Sequence, residues 1–440
     1  MEKSHVQKVV DDLLGLSPKK LDLSLDRIIR LLKHLGNPHL KLTPTIIHIA
    51  GTNGKGSASA ICRALLESAG YCVHVYSSPH LVNWNERCRL GQIGSGQLIT
   101  DNQLLDIIRH TIKVNRQEPI SVFEIFTAAA FTLFSTHPAD AIILEVGLGG
   151  RFDATNVIKN PAVSLIMPID YDHEIFLGNT IAQIAFEKGG IIKPKIPVVI
   201  GKQNHDVTLS VLRSLIDKNK APYSIFDQDY QSYEEHGRMV FQNNHGLMDL
   251  SLPNLIGAHQ IANAGAAIEA VYQAGFQLSE QVINQALRNL YWPARMQHLT
   301  HGQLVNQLPP RTDLWLDGGH NPAAGKAVAA EFTRWKKKSN RPIVMIASML
   351  KTKDNVGYFR PFKNLVNEVY TIPLTSSDAG LCPKILAKLA QKAGLIANPQ
   401  ADLQEALHKI SLKHKEAIIF IGGSLYLAGN ILRDNATPPC

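Results

Sequence analysis

The residues A-G-T-N-G-K-G-S at 50–57 combine three glycines, a lysine and a serine between an apolar run and a helical pattern. Glycines allow backbone N–H groups to turn toward phosphate oxygens, Lys55 adds a cation, and a helix N-terminus adds its dipole. The spacing departs from G-x-x-x-x-G-K-[ST], because Gly56 stands between Lys55 and Ser57. Read alone, such a loop also serves as a plain strand-to-helix turn; the strand before it and the helix after it favour phosphate binding. Glu145 closes the apolar run A-I-I-L-E-V, where open α/β sheets present ligand-binding groups, although a strand-end carboxylate often only forms a salt bridge. His173 on its own reads as structural, Lys188 as a surface lysine on a helix, and Phe123 as core.

These groups need rigid elements to position them. Short β-rich apolar runs at Ile46–Ala50, Val73–Tyr76, Ala141–Val146, Val163–Ile169 and Val198–Ile200 read as strands. Positions 58, 61, 62, 65, 66 and 69 follow helical spacing, with Gly70 as a C-cap. A second series gives strands at Leu314–Leu316, Ile343–Ala347, Glu368–Ile372 and Ala417–Ile421, with helices at Ala323–Lys337 and Pro383–Ala393. Strands alternating with helices predict a doubly wound α/β fold. The polar, Pro-containing stretch 298–312 reads as a boundary region, part of which could be strand. Two domains are expected, 1–296 and 297–440.

The 440 residues are 45% hydrophobic and 19% charged, which excludes a mainly disordered chain, collagen and a long coiled coil. The net charge of +8 is dispersed, and its densest run, Lys336–Lys338, reads as a solvated helix end rather than a nucleic-acid patch. Five scattered cysteines without a C-x-x-C pair fit reduced thiols. Cys62 falls on an apolar helix face. The N-terminus lacks an apolar signal core, and Ile125 to Phe134 is shorter than the roughly 20 residues a span requires. A cytoplasmic protein with no membrane and no nucleic-acid partner is expected.

The variant loop resembles that of the Mur ligase superfamily, and its G-T-N-G-K-G-S form resembles folylpolyglutamate synthase/dihydrofolate synthase. Ten further segments resemble that family in order: 21–28, 76–81, 121–131, 144–156, 172–180, 187–193, 257–264, 292–297, 317–322 and 422–427. The most recognisable is L-E-V-G-L-G-G-R-F-D-A-T-N at 144–156. The resemblance implies an N-terminal phosphate-loop domain of the Mur central type and a smaller, Rossmann-like C-terminal α/β domain.

It also implies an ATP-dependent ligase that joins L-glutamate to dihydropteroate and to reduced folates through an acyl phosphate. Gly54, Lys55, Gly56 and Ser57 would hold the phosphates. Asn263, Arg295, Asp317 and His320 would complete the ATP site. Ser78 and Glu145 would hold one Mg²⁺, with His173 at a second, and Lys188, if carbamylated, would become an anionic ligand. Lys55, His173 and Lys188 are the catalytic candidates. Asp26, Arg27, Ser121, Phe123, Glu124, Phe152, Asp153 and Ala154 would line the pterin site. A monovalent cation such as K⁺ and a monomeric state belong to the same expectation. ATP would bind between the domains, and closure would exclude water.

Three departures stand out: Gly189 for the usual Ala after Lys188, Gly319 where many relatives have Ala, and Thr352 where an acidic residue is common. The last lies in S-M-L-K-T-K-D-N, a loop expected to seat glutamate or nucleotide. Alternatives are a monofunctional folylpolyglutamate synthase, another Mur-type ligase, a phosphate-loop switch or motor, and a basic nucleic-acid binder. The last two leave the ordered later segments unexplained.

Overall fold

The computed structural model describes residues 5–15, 24–42 and 45–439. Leu21–Leu23 of the 21–28 segment and Cys440 lie outside the described residues. The described residues divide into two compact units, one lying within 5–254 and 260–290, the other of residues 255–259 and 291–439.

The larger unit is built on an eight-stranded sheet. Its strands are β1 (Thr45–Ala50), β2 (Val73–Tyr76), β3 (Cys88–Gln92), β4 (Ser95–Leu98), β5 (Ala141–Glu145), β6 (Val163–Ile166), β7 (Val198–Ile200) and β8 (Tyr223–Ile225). The spatial order is β4-β3-β2-β5-β1-β6-β7-β8. All pairings are parallel except those of the β3–β4 hairpin, which antiparallel pairing adds beyond β2. Apolar layers cover both faces. Ile28, Leu31, Phe126 and Phe131 pack on one side, with Ile184, Ile191, Leu212 and Ile216 further along the same side, and helix Lys55–Ser68 covers the other with Ile61, Leu65 and Leu66. Burial on both faces explains why β1 and β5 are continuous apolar runs rather than alternating ones.

β1 is central, and the chain moves away from it in both directions. The sheet therefore has its switch point beside β1, where ligands bind at the carboxyl ends of strands. Register aligns those ends. Ile49 lies beside Glu145, Tyr76 beside Leu144 and Ala50 beside Ile166. Neighbouring strands are ~4.8 Å apart, so the segments that leave β1, β2, β5 and β6 all start from one edge.

A three-stranded antiparallel sheet, β9 (Gln231–Glu235), β10 (Arg238–Asn243) and β11 (Gly246–Leu250), lies against helix Ala258–Gln273. A Cβ at Gly265 would come within 2.3 Å of Ser232 Oγ, so glycine permits that approach.

The smaller unit carries β12 (Gln297–Leu299), β13 (Asp313–Leu316), β14 (Ile343–Ala347), β15 (Glu368–Thr371), β16 (Ala397–Pro399) and β17 (Ile418–Gly422). Their order is β12-β13-β17-β14-β15-β16, parallel apart from β12. Part of the 298–312 stretch is thus an antiparallel edge strand. Phe332 and Phe420 stack edge to face at 5.0 Å in its core. This Rossmann-like layout, together with the phosphate-loop unit, is the expected α/β architecture. No helix among the described residues is long and apolar enough to cross a membrane, and the Ile125–Phe134 run lies inside the buried helix Val122–Phe134.

Candidate active site

The chain leaves β1 through Gly51 at φ +149° and enters helix Lys55–Ser68 after Gly54, a left-handed residue at φ +82°. No side chain caps that helix, which leaves its first N–H groups for an anion. The loop is braced from below. Thr52 and Asn53 donate their N–H groups to Pro168 O at 2.9 and 3.2 Å. Thr52 Oγ1 donates to Asp170 O at 3.0 Å and accepts from Asp170 N at 3.1 Å. A Cβ on Gly54 would lie 2.9 Å from Asn263 Oδ1, so Asn263 sits directly against the loop. Its amide in turn donates to Gln260 Oε1 at 3.0 Å.

Lys55 Nζ donates to Gly51 O at 3.0 Å. Lys188 Nζ reaches the same carbonyl at 3.0 Å from the last turn of helix Ile181–Gly189. The spacing of Lys188 alone suggests a surface position, but the structure buries it to 4% exposure. Two ammonium groups at one carbonyl, next to uncapped helix N–H groups, make a strongly anion-seeking corner.

Around this corner stand the strand-end groups. Glu145 is 5% exposed at the end of β5. Ser77 and Ser78 leave β2, and the Ser78–Pro79 peptide is cis. His173 is left-handed at φ +54° and exposed, with Nε2 3.8 Å from Asp172 Oδ2. Among the described residues no three His, Cys, Asp or Glu side chains gather into a metal cage. The buried Glu145 carboxylate and the Ser57 and Ser78 hydroxyls are hard oxygen donors of the kind Mg²⁺ takes, alongside phosphate oxygens and water.

A second cluster lies on helices Asp26–His34 and Val122–Phe134. Arg27 Nε pairs with Glu124 Oε2 at 3.2 Å. Ser121 and Glu124 form a reciprocal cap, with Ser121 N 2.8 Å from the same carboxylate oxygen. Glu124 Oε1 is buried and has no partner, so one acceptor remains for an N–H-bearing ligand. Phe123 closes on the loop after β5: a Cβ at Gly147 would lie 2.5 Å from Phe123 Cζ. Asp26 is exposed and accepts the Ser24 hydroxyl at 2.8 Å, outside that cluster. Phe152 is half-buried under the Arg151 guanidinium at 4.3 Å, and Ala154 is buried.

Asp153 is buried and fully engaged. Oδ2 accepts from Gly147 N at 3.0 Å and Leu148 N at 2.9 Å. Oδ1 accepts from Thr155 N at 3.0 Å and from Thr155 Oγ1 at 2.6 Å. Burial pushes its pKa up, while these four donors pull the other way. Thr155 Oγ1 also lies 2.8 Å from His48 Nε2. Since the threonine proton goes to Asp153, His48 donates from Nε2. Burial, with Lys193 nearby, holds the His48 pKa down at about 3. Burial also lowers Lys193 to about 8, and its ammonium donates to Asn156 O at 3.3 Å. Sequence reasoning missed His48 and Lys193, because both partners are distant in the chain.

In the smaller unit, Asp317 follows β13. Its Oδ2 accepts from Met296 N at 2.9 Å and its Oδ1 from Gly319 N at 2.7 Å. Arg295 is bracketed by Ala294 at φ +56° and Met296 at φ +43°, two left-handed non-glycine residues of the kind that persist at functional sites. Arg295 Nη1 donates to Ala294 O at 2.8 Å. His320 Nδ1 donates to Gly318 O at 3.1 Å. Asn321 caps helix Pro322–Lys338 through Ala324 N.

A phosphate loop at the switch point of a parallel sheet, with two lysines on one loop carbonyl, defines a nucleotide-binding α/β protein. The Mur ligase middle domain model matches residues 49–271. A dihydrofolate synthase/folylpolyglutamate synthase of Bacillus subtilis is 32% identical over 428 residues, covering 92% of this chain and 94% of the relative. Escherichia coli FolC, solved in complex with DHPP and ADP, superposes with a TM-score of 0.86 at 26% identity, covering 98% of this chain and 97% of that one. A bifunctional folylpolyglutamate synthase/dihydrofolate synthase solved with Mn, AMPPNP and L-glutamate gives a TM-score of 0.83 at 27% identity, with 98% of each chain covered. The chain belongs to the Mur ligase family, among its dihydrofolate synthase/folylpolyglutamate synthase members.

Proposed function

We propose that this protein is an ATP-dependent ligase that joins L-glutamate to dihydropteroate and to reduced folates, releasing ADP and phosphate through an acyl phosphate. The observation that carries this reading is the convergence of Lys55 and Lys188 on Gly51 O, above an uncapped helix start and beside the strand end that bears Glu145. Relatives named for both activities support the choice of substrates.

Carboxylate and ammonium do not condense in water, so the carboxylate is activated first. Gly54–Ser57 amides and Lys55 hold the β- and γ-phosphates and spread the charge that develops on the transferring group. Ser78, Glu145 and the nucleotide would hold Mg²⁺, which would supply charge neutralisation at the phosphates, and His173 would serve a second such site. Lys188 adds positive charge as an ammonium, or an anionic oxygen ligand if carbamylated. The γ-phosphoryl passes to the substrate carboxylate, with its P–O bond to ADP breaking. The glutamate amine then attacks the acyl carbon, and phosphate leaves with the C–O electron pair.

Arg27, Ser121, Phe123, Glu124, Phe152 and Ala154 form the pterin wall, with the buried, unpartnered Glu124 Oε1 as the acceptor for a heterocycle's N–H edge. Asp26 lies at its margin, and Asp153 holds the loop that shapes it. Asn263 backs the phosphate loop, while Arg295, Asp317 and His320 serve the nucleotide. The protein acts as a cytoplasmic monomer, with a monovalent cation such as K⁺ assisting.

The test is steady-state ADP release with Mg²⁺ and glutamate, using dihydropteroate or tetrahydrofolate, with product masses. Both should gain one glutamyl unit. Activity with tetrahydrofolate alone makes the enzyme monofunctional. No glutamate-dependent ADP with either, from folded protein, overturns the reading.

A further inference from the structure

Lys188 reaches the phosphate loop from the very end of a helix, where the last turn frays unless something holds it. The segment that holds it is the loop after β5. Arg151 N donates to Glu187 O at 2.8 Å. Asn156 Nδ2 bridges Arg151 O at 2.9 Å and Gly190 O at 3.2 Å. The two backbones touch so closely that a Cβ at Gly150 would lie 2.7 Å from Lys188 O, and one at Gly190 would lie 2.4 Å from Arg151 Cβ. This backbone seam fixes the approach of loop to helix.

The Arg151 side chain adds a separate clamp. Its guanidinium pairs with Glu187 Oε1 at 2.7 Å. It lies 4.3 Å from the Phe152 ring centroid and 5.0 Å from that of Phe186. Phe186 is 42% exposed, so hydrophobic burial gives a weak reason for its position, whereas contact with a cation gives a direct one. The clamped residues, 186 and 187, immediately precede Lys188. The clamping residue, 151, stands on the loop that follows Glu145 and β5.

We propose that Arg151 is a positioning residue for Lys188: its clamp on Phe186 and Glu187 fixes the last helical turn, and so sets where the lysine ammonium meets Gly51. The inference rests on the reading of Lys188 as part of the phosphoryl-transfer site. It gives Arg151 a task distinct from substrate contact, and it links the loop that follows Glu145 to the lysine. A planar guanidinium is required, because a lysine keeps the charge for Glu187 but has no flat face for two rings. Displacement of a reacting group by about 1 Å costs up to ~100-fold in rate.

The experiment compares the intact wild-type chain with Arg151→Ala, Arg151→Lys, Phe186→Ala, Lys188→Ala and the double variant Arg151→Ala/Lys188→Ala. Glutamate-dependent ADP release should show kcat down about 10–100-fold in Arg151→Ala, with KM for ATP within about threefold. Arg151→Lys and Phe186→Ala should fall between wild type and Arg151→Ala. The double variant should be no slower than Lys188→Ala, since Arg151 acts through that lysine. Full multiplication of the two single losses would overturn the proposal, as would an Arg151→Ala kcat within twofold of wild type.

A second readout does not depend on activity. Amine-reactive labelling followed by peptide mass analysis should show Lys188 protected in wild type and at least fivefold more reactive in Arg151→Ala, relative to the exposed Lys337. Unchanged labelling would overturn the clamp. Inactive wild type with the labelling difference intact would leave the clamp standing and remove the ligase reading instead.

Discussion

Replacing Asp153 by Asn removes one acceptor oxygen from a carboxylate that serves four donors. The amide keeps two of the four bonds, with its oxygen toward Gly147 and Leu148. Its NH₂ then faces Thr155, whose hydroxyl can rotate to accept, but whose N–H cannot. One buried N–H is orphaned, at ~1–3 kcal/mol, and two charge-assisted bonds become neutral ones, at ~0.5–1 kcal/mol each. Relief of the buried charge, visible in the raised pKa of Asp153, offsets part of this. The net expectation is a loss of about 2–3 kcal/mol, or ~4–8 °C in the melting of the larger unit. Calorimetry of wild type and Asp153→Asn measures it, with KM for dihydropteroate taken in parallel. Melting should fall, and KM should rise only as the Gly147–Leu148 loop loosens against Phe123. An unchanged melting temperature with a raised KM would refute the reasoning, because the carboxylate would then be bonding substrate rather than holding the loop.

Gly54→Ala should raise KM for ATP at least tenfold by activity assay, since its Cβ would lie 2.9 Å from Asn263 Oδ1 at a φ of +82°; ordinary ATP kinetics would refute a close-fitting loop. Arg27→Ala should cost about 2–3 kcal/mol in denaturant melts and raise KM for the pterin substrate, because it strips the partner from a carboxylate buried to 5% exposure. His48 should make the fold acid-sensitive. Its folded pKa, about 3, lies below the ordinary 6.5, so the unfolded chain binds the extra proton between those values and stability falls as pH drops through that window. From pH 7 to pH 5 the loss from this group is about 2 kcal/mol, and His48→Gln should flatten that slope in urea titrations at the two pH values.

Much of the frame was legible because the sheet is buried on both faces. Val73–Tyr76, Val198–Ile200 and Ile343–Ala347 are apolar runs whose ends coincide with the observed strands. Ends shifted where the chain leaves the sheet for tertiary reasons. The strand from Val163 ends at Ile166, and the last bond to its neighbour is Met167 N to Ala50 O, because Pro168 cannot donate and turns its carbonyl to Thr52 and Asn53. The first helix after the loop starts at Lys55 rather than Ser57, since a left-handed Gly54 begins it without a capping side chain. The β3–β4 hairpin was hidden by the short polar strands C-R-L-G-Q and S-G-Q-L. The β10–β11 hairpin had a readable signal in Asn243–Gly246 that alternation around it should have exposed.

At the site, sequence order alone brought together Lys55, Ser57 and their helix. The burial of Lys188 could not be read, because its approach to Gly51 spans 137 positions. The same holds for His48 and Thr155, 107 positions apart. Arg151 stood inside a recognised run yet drew no attention, since its partners Phe186 and Glu187 lie on a helix that only the fold brings near.

The central claim is that the corner formed by Lys55, Lys188 and the loop amides moves a phosphoryl group onto a carboxylate. The most direct measurement uses dihydropteroate with oxygen-18 in its carboxylate, incubated with ATP, Mg²⁺ and glutamate. The account predicts one labelled oxygen in the inorganic phosphate for each amide formed. Amide formation with unlabelled phosphate would contradict it.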